Sequence, residues 1–394
     1  MNFQHIYYLL TSSRSFCIHI VFTINTIYYV SQVGLNPLQL VLLGTIMELA
    51  ILLFEIPTGL VADFFGRKKS LIIGTFVIGV AHLLEGSIPS FWTIAIGAAL
   101  WGIGWTFISG AETAWIADEL ENNQLDEVYI KGARYSSLGS LCGILFSVLL
   151  AMILSVQVAI LIAGGLLILI AFFSLKMVPE TKFVRIKSEN TSNFLQMQIT
   201  LKNGLTQIKG NSILVGLAVI TLFTGLASEG FDRLWGAHFI EGFEMKDEEA
   251  IYWFGAFYAI SFILNIGLLK LIESIVKERF AIILVVINSL LILTMLLFAM
   301  SKVFFLAAIL YWCVASLRAV NYPLMNVMTN KELQSQGRAT TLSIYGQLDA
   351  FGQVAGGPLV GIIALYTSVQ GGIVLSAILM IPIVYFLWKI RRMA

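Results

Sequence analysis

The sequence predicts an all-α integral membrane protein with twelve transmembrane helices in two six-helix bundles. Hydrophobic residues make up 58% of the 394 residues and charged residues only 12%, whereas a soluble domain carries about 25% charge. The mean hydropathy is +0.88, so the chain has too little polar surface to face water and suits a lipid bilayer. Apolar segments of membrane-spanning length recur along the chain, and one long polar stretch divides them into two sets of six.

Twelve segments of about 20 residues, the length of helix that crosses the hydrocarbon core, lie between short polar breaks. The weakest breaks separate the fifth segment from the sixth and the eleventh from the twelfth. The first segment lacks a basic leader and is too long for a signal-peptide core, so we expect it to be the first transmembrane helix. The expected limits are 6–32, 38–62, 70–86, 90–118, 128–153, 155–177, 212–240, 249–272, 280–300, 303–328, 337–366 and 368–389.

The one long polar stretch separates the two sets of helices. We therefore predict an N-terminal bundle at 1–178, a cytoplasmic linker at 179–211 and a C-terminal bundle at 212–394. Four apolar residues at helical spacing favour an amphipathic helix on the membrane surface within the linker. They are Phe194, Met197, Leu201 and Leu205.

The basic residues predict the orientation in the membrane. If both termini are cytoplasmic, the cytoplasmic breaks collect most of the 24 Lys and Arg residues, and only Lys246 and Lys302 lie on the outer side. The positive-inside rule favours this topology. The net charge of +1 gives no basic field that would attract nucleic acid. We expect a multi-pass protein of a bacterial plasma membrane that contacts lipid and acts as a monomer.

A short repeat supports the division into two similar halves. Residues 132–138 read GARYSSL and open the fifth helix, and residues 336–342 read QGRATTL and open the eleventh. The shared pattern Arg-x-[Ser/Thr]-[Ser/Thr]-Leu begins the helix that has the same place in each half. This placement indicates parallel internal repeats.

The break between the second and third helices carries a specific motif, GLVADFFGRKK at 59–69. It resembles the Gly-x-x-x-Asp-x-x-Gly-Arg-[Lys/Arg]-[Lys/Arg] signature of the major facilitator superfamily, although Phe64 stands where that family often has a basic residue. The resemblance extends to the twelve helices, the linker and the topology. It implies the major facilitator fold and secondary transport by alternating access.

The residues of this motif suit a gate at the cytoplasmic face. Gly59 would let two helices approach closely, and Gly66 would allow a tight turn. The resemblance implies that Asp63 and Arg67 latch an inner gate, with Lys68 beside them and Asp118, at the end of the fourth helix, as a third member. The alternative is a basic loop that only sets topology.

Other segments resemble exporters within the same family. The eleventh helix contains Gly352, Gly356, Gly357, Pro358 and Gly361, a pattern similar to the glycine–proline motif of drug–proton antiporters. Those proteins carry it in the fifth helix, which has no proline here. The segments 55–59 and 110–114 look like parts of bacterial drug and macrolide-type efflux proteins.

Ionisable residues within transmembrane helices predict the working part, because each costs at least about 2.5–3.5 kcal/mol at the bilayer centre. The resemblance implies that the first, fourth, seventh and tenth helices line a central cavity. Candidates for proton coupling or for the substrate cavity lie on these four helices and on the eleventh. They are Arg14, Glu112, Glu229, Asp232, Arg233, Arg318 and Asp349.

Depth and spacing predict partners for these charges. Arg14 and Glu112 lie about 12 and 9 Å from the inner ends of their helices, so we expect them to pair, either as a structural link or as a coupling element. Glu229 and Arg233 share a helix face. We predict that Glu229 and Asp232 share Arg233 and form the main proton-linked site, with Arg318 as a further candidate to tune it. A carboxylate held away from water can take up a proton near neutral pH.

The sequence excludes other classes of function. The four histidines are scattered and the three cysteines lie in apolar runs, so we expect no metal site, no disulfide framework and no cofactor. No phosphate-binding loop and no nucleophile–base pair is present, which argues against an ATP-driven pump and an enzyme. The leading hypothesis is a proton-coupled exporter of amphipathic small molecules. The alternatives are an importer or facilitator of a polar or anionic solute and a membrane sensor on a transporter scaffold.

Overall fold

The computed structural model describes residues 2–120, 125–183, 205–206, 208–275, 280–333 and 338–392, and all regular secondary structure within them is helical. The twelve predicted helices are present there. A π-helical turn, Tyr28–Gln32, continues the first of them. The helices are α1 (Phe3–Ile27), α2 (Pro37–Phe65), α3 (Arg67–Ser87), α4 (Phe91–Glu119), α5 (Leu125–Ile153), α6 (Val156–Met177), α7 (Ser212–Gly242), α8 (Asp247–Ile275), α9 (Phe280–Met300), α10 (Phe304–Glu332), α11 (Arg338–Tyr366) and α12 (Val369–Leu379 and Ile381–Arg391).

Eleven of the described helices are long and apolar enough to cross a membrane. The exception is α1, whose apolar residues are interrupted by polar ones such as Arg14 and His19. The chain is therefore a multi-pass membrane protein, and the membrane crossing of α1 stays a prediction.

Serine N-caps begin the helices that follow the two weakest of the predicted breaks. Ser155 accepts a hydrogen bond from the backbone N–H of Val158 at 3.1 Å and begins α6. Ser368 accepts one from Gly371 at 3.1 Å and begins the first segment of α12. A serine side chain satisfies a backbone donor that the first turn of a helix leaves free. Each half therefore separates its last two helices by the same local device.

The last helix is interrupted at Met380, between its segments Val369–Leu379 and Ile381–Arg391. Pro382 lies in the first turn of the second segment, where a missing N–H and a fixed φ are tolerated. Because proline cannot donate to the preceding turn, the helix is interrupted there. Met380, at the interruption, is buried.

The chain divides into two compact units, of which unit 1 comprises the described residues of Met1–Leu35, Ile46–Ser188 and Met245–Ala259. In unit 1, α1 packs on α5, and α3 packs on α4 and α6. Gly139 and Gly143 of α5 lie against the backbone carbonyls of Ser12 and Phe16, so that a Cβ atom at either glycine would overlap α1. These glycines let the two backbones approach closely.

Unit 2 comprises the described residues of Asn36–Thr45, Glu189–Glu244 and Ile260–Ala394. Its central contact joins α7 to α11, and α9 packs on α10 and α12. Gly352 and Gly356 of α11 lie against the backbone of α7, while Gly225 of α7 lies against the backbone carbonyl of Asp349. Gly352 and Gly356 thus pack α11 on α7, and this contact fixes the place of Asp349.

The two units repeat one packing pattern. In unit 1 the glycines of α5 contact α1, and in unit 2 the glycines of α11 contact α7. These are the helices that the Arg-x-[Ser/Thr]-[Ser/Thr]-Leu repeat predicts to correspond, although the side chain of Arg338 lies outside the described ones. The packing is therefore consistent with an internal repeat.

Most of the predicted linker, residues 184–204 and 207, lies outside the described part of the chain. The predicted amphipathic helix falls largely in that range, as Phe194, Met197 and Leu201 do. The division into bundles at 1–178 and 212–394, with a linker at 179–211, stays a prediction.

Candidate functional site

A cavity of about 620 Å³ lies in unit 2, lined by side chains of α7, α9, α10 and α11 and by Met380. Its apolar lining includes Phe231, Leu291, Met295 and Met325. A cavity of this size with a mixed lining suits a small organic molecule. The polar lining residues are Thr221, Thr224, Ser228, Asp232, Arg318, Asn321, Tyr322, Asn326, Thr329, Tyr345, Asp349 and Gln353.

A two-pronged ion pair forms part of the cavity wall. Arg318 of α10 donates from Nη1 to Asp232 Oδ1 and from Nη2 to Asp232 Oδ2, the second bond at 2.8 Å. The side chains of Arg318 and Asp232 are 33% and 42% exposed. The guanidinium also lies 5.6 Å from the centre of the Phe231 ring. The fork geometry matches a guanidinium to a carboxylate, so the charge of Asp232 is largely neutralised.

Asp349 of α11 is a second carboxylate in the cavity lining. Gln353, one turn later, donates from Nε2 to Asp349 Oδ2 at 2.9 Å. Asp349 forms no ion pair with any residue that the structure describes. An amide stabilises a carboxylate less than a cation does, so the described lining carries one carboxylate more than the Asp232–Arg318 pair can balance.

The third acid of this region, Glu229, is buried and does not line the cavity. Its Oε2 accepts from Arg233 Nε at 3.2 Å. Gly44, on the part of α2 that belongs to unit 2, lies so close that a Cβ atom there would overlap both side chains. Glu229 therefore belongs to a packed contact rather than to the cavity.

The prediction that Glu229 and Asp232 share Arg233 is wrong. Glu229 bonds Arg233 one helical turn away, whereas Asp232 bonds Arg318 of α10. Sequence spacing finds an arginine on the same helix, but it contains no information on which residue of another helix faces Asp232. The separation into two pairs leaves Asp349 as the carboxylate of the cavity without a cation.

In unit 1, Arg14 and Glu112 form the pair that their depths predicted. Arg14 Nη2 donates to Glu112 Oε2 at 2.6 Å, and the two side chains are 9% and 14% exposed. This contact links α1 to α4. Charges held this deeply from water are stable only when they are paired. A role of the pair in coupling stays a prediction.

The motif at 59–69 forms a smaller ion-pair contact than the predicted latch, and its role in a gate stays a prediction. Arg67 Nε lies 3.1 Å from Asp118 Oδ2 at the end of α4. Gly66 has a φ of +107°, which provides the expected tight turn. Asp63, in contrast, makes no ion pair within the described residues, and a Cβ atom at Gly59 would meet nothing within 4 Å. The prediction of a close helix approach at Gly59 is therefore wrong. Within the described residues, the ion pair of this motif has two members, Arg67 and Asp118.

Two carboxylates that the sequence analysis missed hold the segment after α6 against the start of α3 and the end of α4. Glu180 Oε1 accepts from the backbone N–H of Lys68 at 3.0 Å, at the start of α3. Glu119 Oε1 accepts from the backbone N–H of Thr181 at 2.6 Å and of Lys182 at 3.2 Å. A carboxylate at a helix N-terminus satisfies a free donor and the helix dipole. The charges were visible in the sequence, but their spacing gave no partner.

A buried polar cluster at the other end of α3 was also missed. Glu85 accepts from the Tyr29 hydroxyl at 2.6 Å and lies 2.9 Å from His82 Nδ1. Tyr29 belongs to the π-helical turn that follows α1. Such turns redirect side chains and often mark special positions, and this one links α1 to α3. Among the described residues no group of three His, Cys, Asp or Glu side chains could hold a metal ion.

An all-helical, multi-pass fold with a cavity between its helices is typical of membrane transporters. The chain belongs to the Major Facilitator Superfamily, whose family model matches residues 7–346. An uncharacterized MFS-type transporter, YxaM of Bacillus subtilis (strain 168), is 24% identical over 398 residues, which cover 97% of this chain and 94% of the relative. An uncharacterized transporter of Buchnera aphidicola, BU466, is 32% identical over 85 residues, 21% of each chain.

Solved structures of transporters share the fold. The nucleoside transporter NupG matches with a TM-score of 0.80 and 13% identity, and the match covers 99% of this chain and 99% of that one. A bacterial homologue of the human lysosomal transporter Spinster matches with a TM-score of 0.76 and 13% identity over 99% and 96% of the two chains. At these identities the likeness concerns the fold.

Proposed function

We propose that the chain is a proton-coupled secondary transporter of amphipathic small molecules, in which Asp349 carries the coupling proton. The observation that supports this most directly is the charge of the unit 2 cavity. Asp232 and Arg318 are bonded to each other in a fork, while Asp349 has only an amide partner among the described residues. The cavity thus has one carboxylate that gains from binding a proton or a cation.

Competition between a proton and a substrate for one carboxylate couples the transport of the two. If Asp349 holds either a proton or a cationic substrate but not both, entry of one requires release of the other. The apolar lining, with Phe231 and Met295, accommodates the hydrophobic part of an amphipathic molecule. The Asp232–Arg318 pair fixes the shape of the wall. Because its two charges cancel, a proton or a cationic substrate binds at Asp349 instead.

Alternating access would expose this site to each side of the membrane in turn. We propose two six-helix halves, 1–178 and 212–394, that move about the linker in a bacterial plasma membrane, with both termini cytoplasmic and the chain acting as a monomer. Export is the direction favoured by the resemblance of segments 55–59 and 110–114 to efflux proteins.

The test is transport by the purified chain in proteoliposomes with an imposed proton gradient and a trapped pH indicator. A panel of amphipathic amines and neutral solutes is offered, and each substrate found should move protons in the opposite direction. Asp349→Asn keeps the shape of the side chain and removes its titration. We expect it to lower gradient-driven accumulation at least tenfold while substrate exchange without a gradient continues.

The double variant Arg14→Leu with Glu112→Leu is the control, because it removes a carboxylate of unit 1 together with its bonded cation and leaves neither charge buried alone. We expect this variant to keep proton movement. If Asp349→Asn still accumulates substrate with a normal dependence on pH, the proposed coupling site is wrong. Glu229→Gln and Asp232→Asn then identify the acid that replaces it.

A second candidate is the uptake of a neutral polar solute. The cavity contains several hydroxyl and amide side chains, among them Thr224, Asn321 and Gln353, which can bind a molecule with many hydroxyl groups. An anionic solute is disfavoured, because Arg14, Arg233 and Arg318 are each bonded to a carboxylate. Sugar and nucleoside probes in the same proteoliposome panel test this candidate.

A further inference from the structure

The hydroxyl groups on the α7 wall of the cavity all direct their hydrogen atoms away from it. Thr221 donates to the carbonyl of Leu217 at 2.9 Å. Thr224 donates to Ile220 at 2.9 Å, and Ser228 donates to Gly225 at 2.9 Å. A hydroxyl that gives its single hydrogen to its own helix has only lone pairs left for a ligand. The α7 wall therefore presents hydrogen-bond acceptors.

Side chains of α11 also present hydrogen-bond acceptors to the cavity. Gln353 donates from Nε2 to Asp349 Oδ2, which places the amide nitrogen toward the acid and leaves Gln353 Oε1 as an acceptor. Asp349 Oδ1 makes no hydrogen bond with a described residue. Tyr345, which also lines the cavity, donates its hydroxyl hydrogen to the carbonyl of Leu214 at 2.9 Å. The acceptors of α7 and α11 thus line the same cavity as Asp349, the carboxylate that has no ion pair among the described residues.

On the α10 wall, Asn321 presents a hydrogen-bond donor instead of an acceptor. The buried Asn288 of α9 donates from Nδ2 to the carbonyl of Leu284 at 2.8 Å and to Asn321 Oδ1 at 2.8 Å. A backbone carbonyl only accepts, so this end of the Asn288 amide must be its NH₂ group, and the atom of Asn321 that faces it must be oxygen. The NH₂ group of Asn321 is then left for the cavity.

From this polarity we propose that the unit 2 cavity selects small organic cations whose nitrogen carries N–H donors and which bear an oxygen acceptor near that nitrogen. The ammonium group binds between Asp349 and the acceptors of Thr221, Thr224 and Ser228. The oxygen accepts from Asn321, which Asn288 orients. This inference rests on the proposed function, because it takes the cavity to be the substrate site, and it names the substrate class.

The cost of removing a cation from water explains why a wall of acceptors distinguishes a primary from a quaternary ammonium group. A primary ammonium loses strong hydrogen bonds to water on entry, so it binds well only where acceptors replace them. A quaternary ammonium of equal charge has no N–H group and is easier to desolvate. A site that offered only negative charge and apolar contacts would therefore prefer the quaternary cation.

The experiment is equilibrium binding to the purified full-length chain in detergent by titration calorimetry, without a proton gradient. The probes are phenethylammonium, its N,N,N-trimethyl derivative, and 2-amino-1-phenylethanol, which adds a hydroxyl oxygen. We expect phenethylammonium to bind at least tenfold more tightly than the trimethyl compound. The added hydroxyl should tighten binding a further severalfold.

Variants assign each preference to its wall. Thr224→Val removes one acceptor at nearly constant shape and should reduce the preference for N–H donors severalfold. Thr294→Val is the matched control, because Thr294 of α9 also donates to its own helix but does not line the cavity. Asn321→Leu should abolish the gain from the hydroxyl and leave the N–H preference intact. Asn288→Leu, a change at a positioning residue, should reduce the same gain only in part.

Equal or tighter binding of the trimethyl compound overturns the proposal, as does the absence of binding by all three probes. A gain from the hydroxyl that survives Asn321→Leu contradicts the assignment of the donor. Because binding is measured without a gradient, these outcomes are separate from a failure of proton coupling. A chain that shows the preferences but moves no protons would keep the substrate class and disprove the coupling.

Discussion

Each unit has an arginine–carboxylate pair on the two helices that correspond in the predicted repeat, and these two pairs differ in their surroundings. Arg14 and Glu112 link α1 to α4 in unit 1 and are almost buried. Arg318 and Asp232 link α10 to α7 in unit 2 and lie on the wall of a cavity. The helices correspond in the predicted repeat, but only the second pair has a further carboxylate, Asp349, in the same cavity.

This difference shows that two units with similar helix packing differ in the carboxylates that they offer to a ligand. The glycine contacts of α5 on α1 and of α11 on α7 repeat between the units, so the packing is common to both. A paired charge inside a membrane protein has no net charge left to offer a ligand. An additional carboxylate does, so we expect the binding of a proton or a cation at Asp349 in unit 2.

The largest effect is expected from breaking the unit 1 pair. Arg14→Leu leaves Glu112 buried without its cation, which should cost about 3–5 kcal/mol of stability. Arg318→Leu should cost less, because water in the cavity can solvate Asp232. Thermal unfolding of the two variants in detergent compares them.

The double variant Arg14→Leu with Glu112→Leu is the control, because it removes both charges and should recover most of the lost stability. Equal losses for Arg14→Leu and Arg318→Leu would show that the two pairs do not differ in solvation. The contrast between the units would then rest on Asp349 alone.

A smaller effect is expected from the packing that the units share. Gly143→Ala in unit 1 and Gly356→Ala in unit 2 each place a Cβ atom against a backbone carbonyl of the neighbouring helix. We expect each to lower stability by about 1–3 kcal/mol through overpacking. Gly165→Ala and Gly346→Ala are matched controls, since a Cβ atom there meets nothing within 4 Å. Stability losses in only one unit would contradict the shared packing.

The sequence predicts the helices well and the contacts between side chains only in part. Apolar length fixes the twelve segments, because crossing a bilayer demands about 20 residues of helix. Depth along two helices predicts Arg14 with Glu112, since both then lie at one level. The partner of Asp232 depends on how α10 is rotated against α7, and no pattern within either helix contains that rotation.

The same reasoning explains the other residues that sequence analysis missed. Glu119 and Glu180 bond backbone N–H groups, which carry no side-chain signature. Tyr29 reaches Glu85 from a π-helical turn, and helical periodicity cannot place a residue whose turn has a different period. The orientation of Asn321 depends on the buried amide of Asn288, which lies on a separate helix.

A severalfold effect on transport is expected when the neutral pair of the cavity is removed as a whole. The double variant Asp232→Asn with Arg318→Gln keeps hydrogen-bonding side chains and leaves the net charge of the lining unchanged. We expect proton-coupled transport to persist at a rate reduced severalfold, because Asp349 remains. Proton movement in proteoliposomes measures this. A complete loss of coupling, with substrate binding intact, would return the coupling role to Asp232.

The smallest effect is expected at the latch of unit 1, which has no counterpart among the described ion pairs of unit 2. Asp118→Asn removes the charge that faces Arg67 at 3.1 Å. Since both side chains are partly exposed, the pair contributes at most about 1 kcal/mol, or up to about fivefold in a rate. We expect slower transport with unchanged substrate affinity, measured by comparing turnover with equilibrium binding. Asp63→Asn is the matched change at an acid that makes no ion pair within the described residues. If it slows transport more than Asp118→Asn does, Asp63 acquires its partner in another conformation of the cycle, and the latch has the three members that the family resemblance implies.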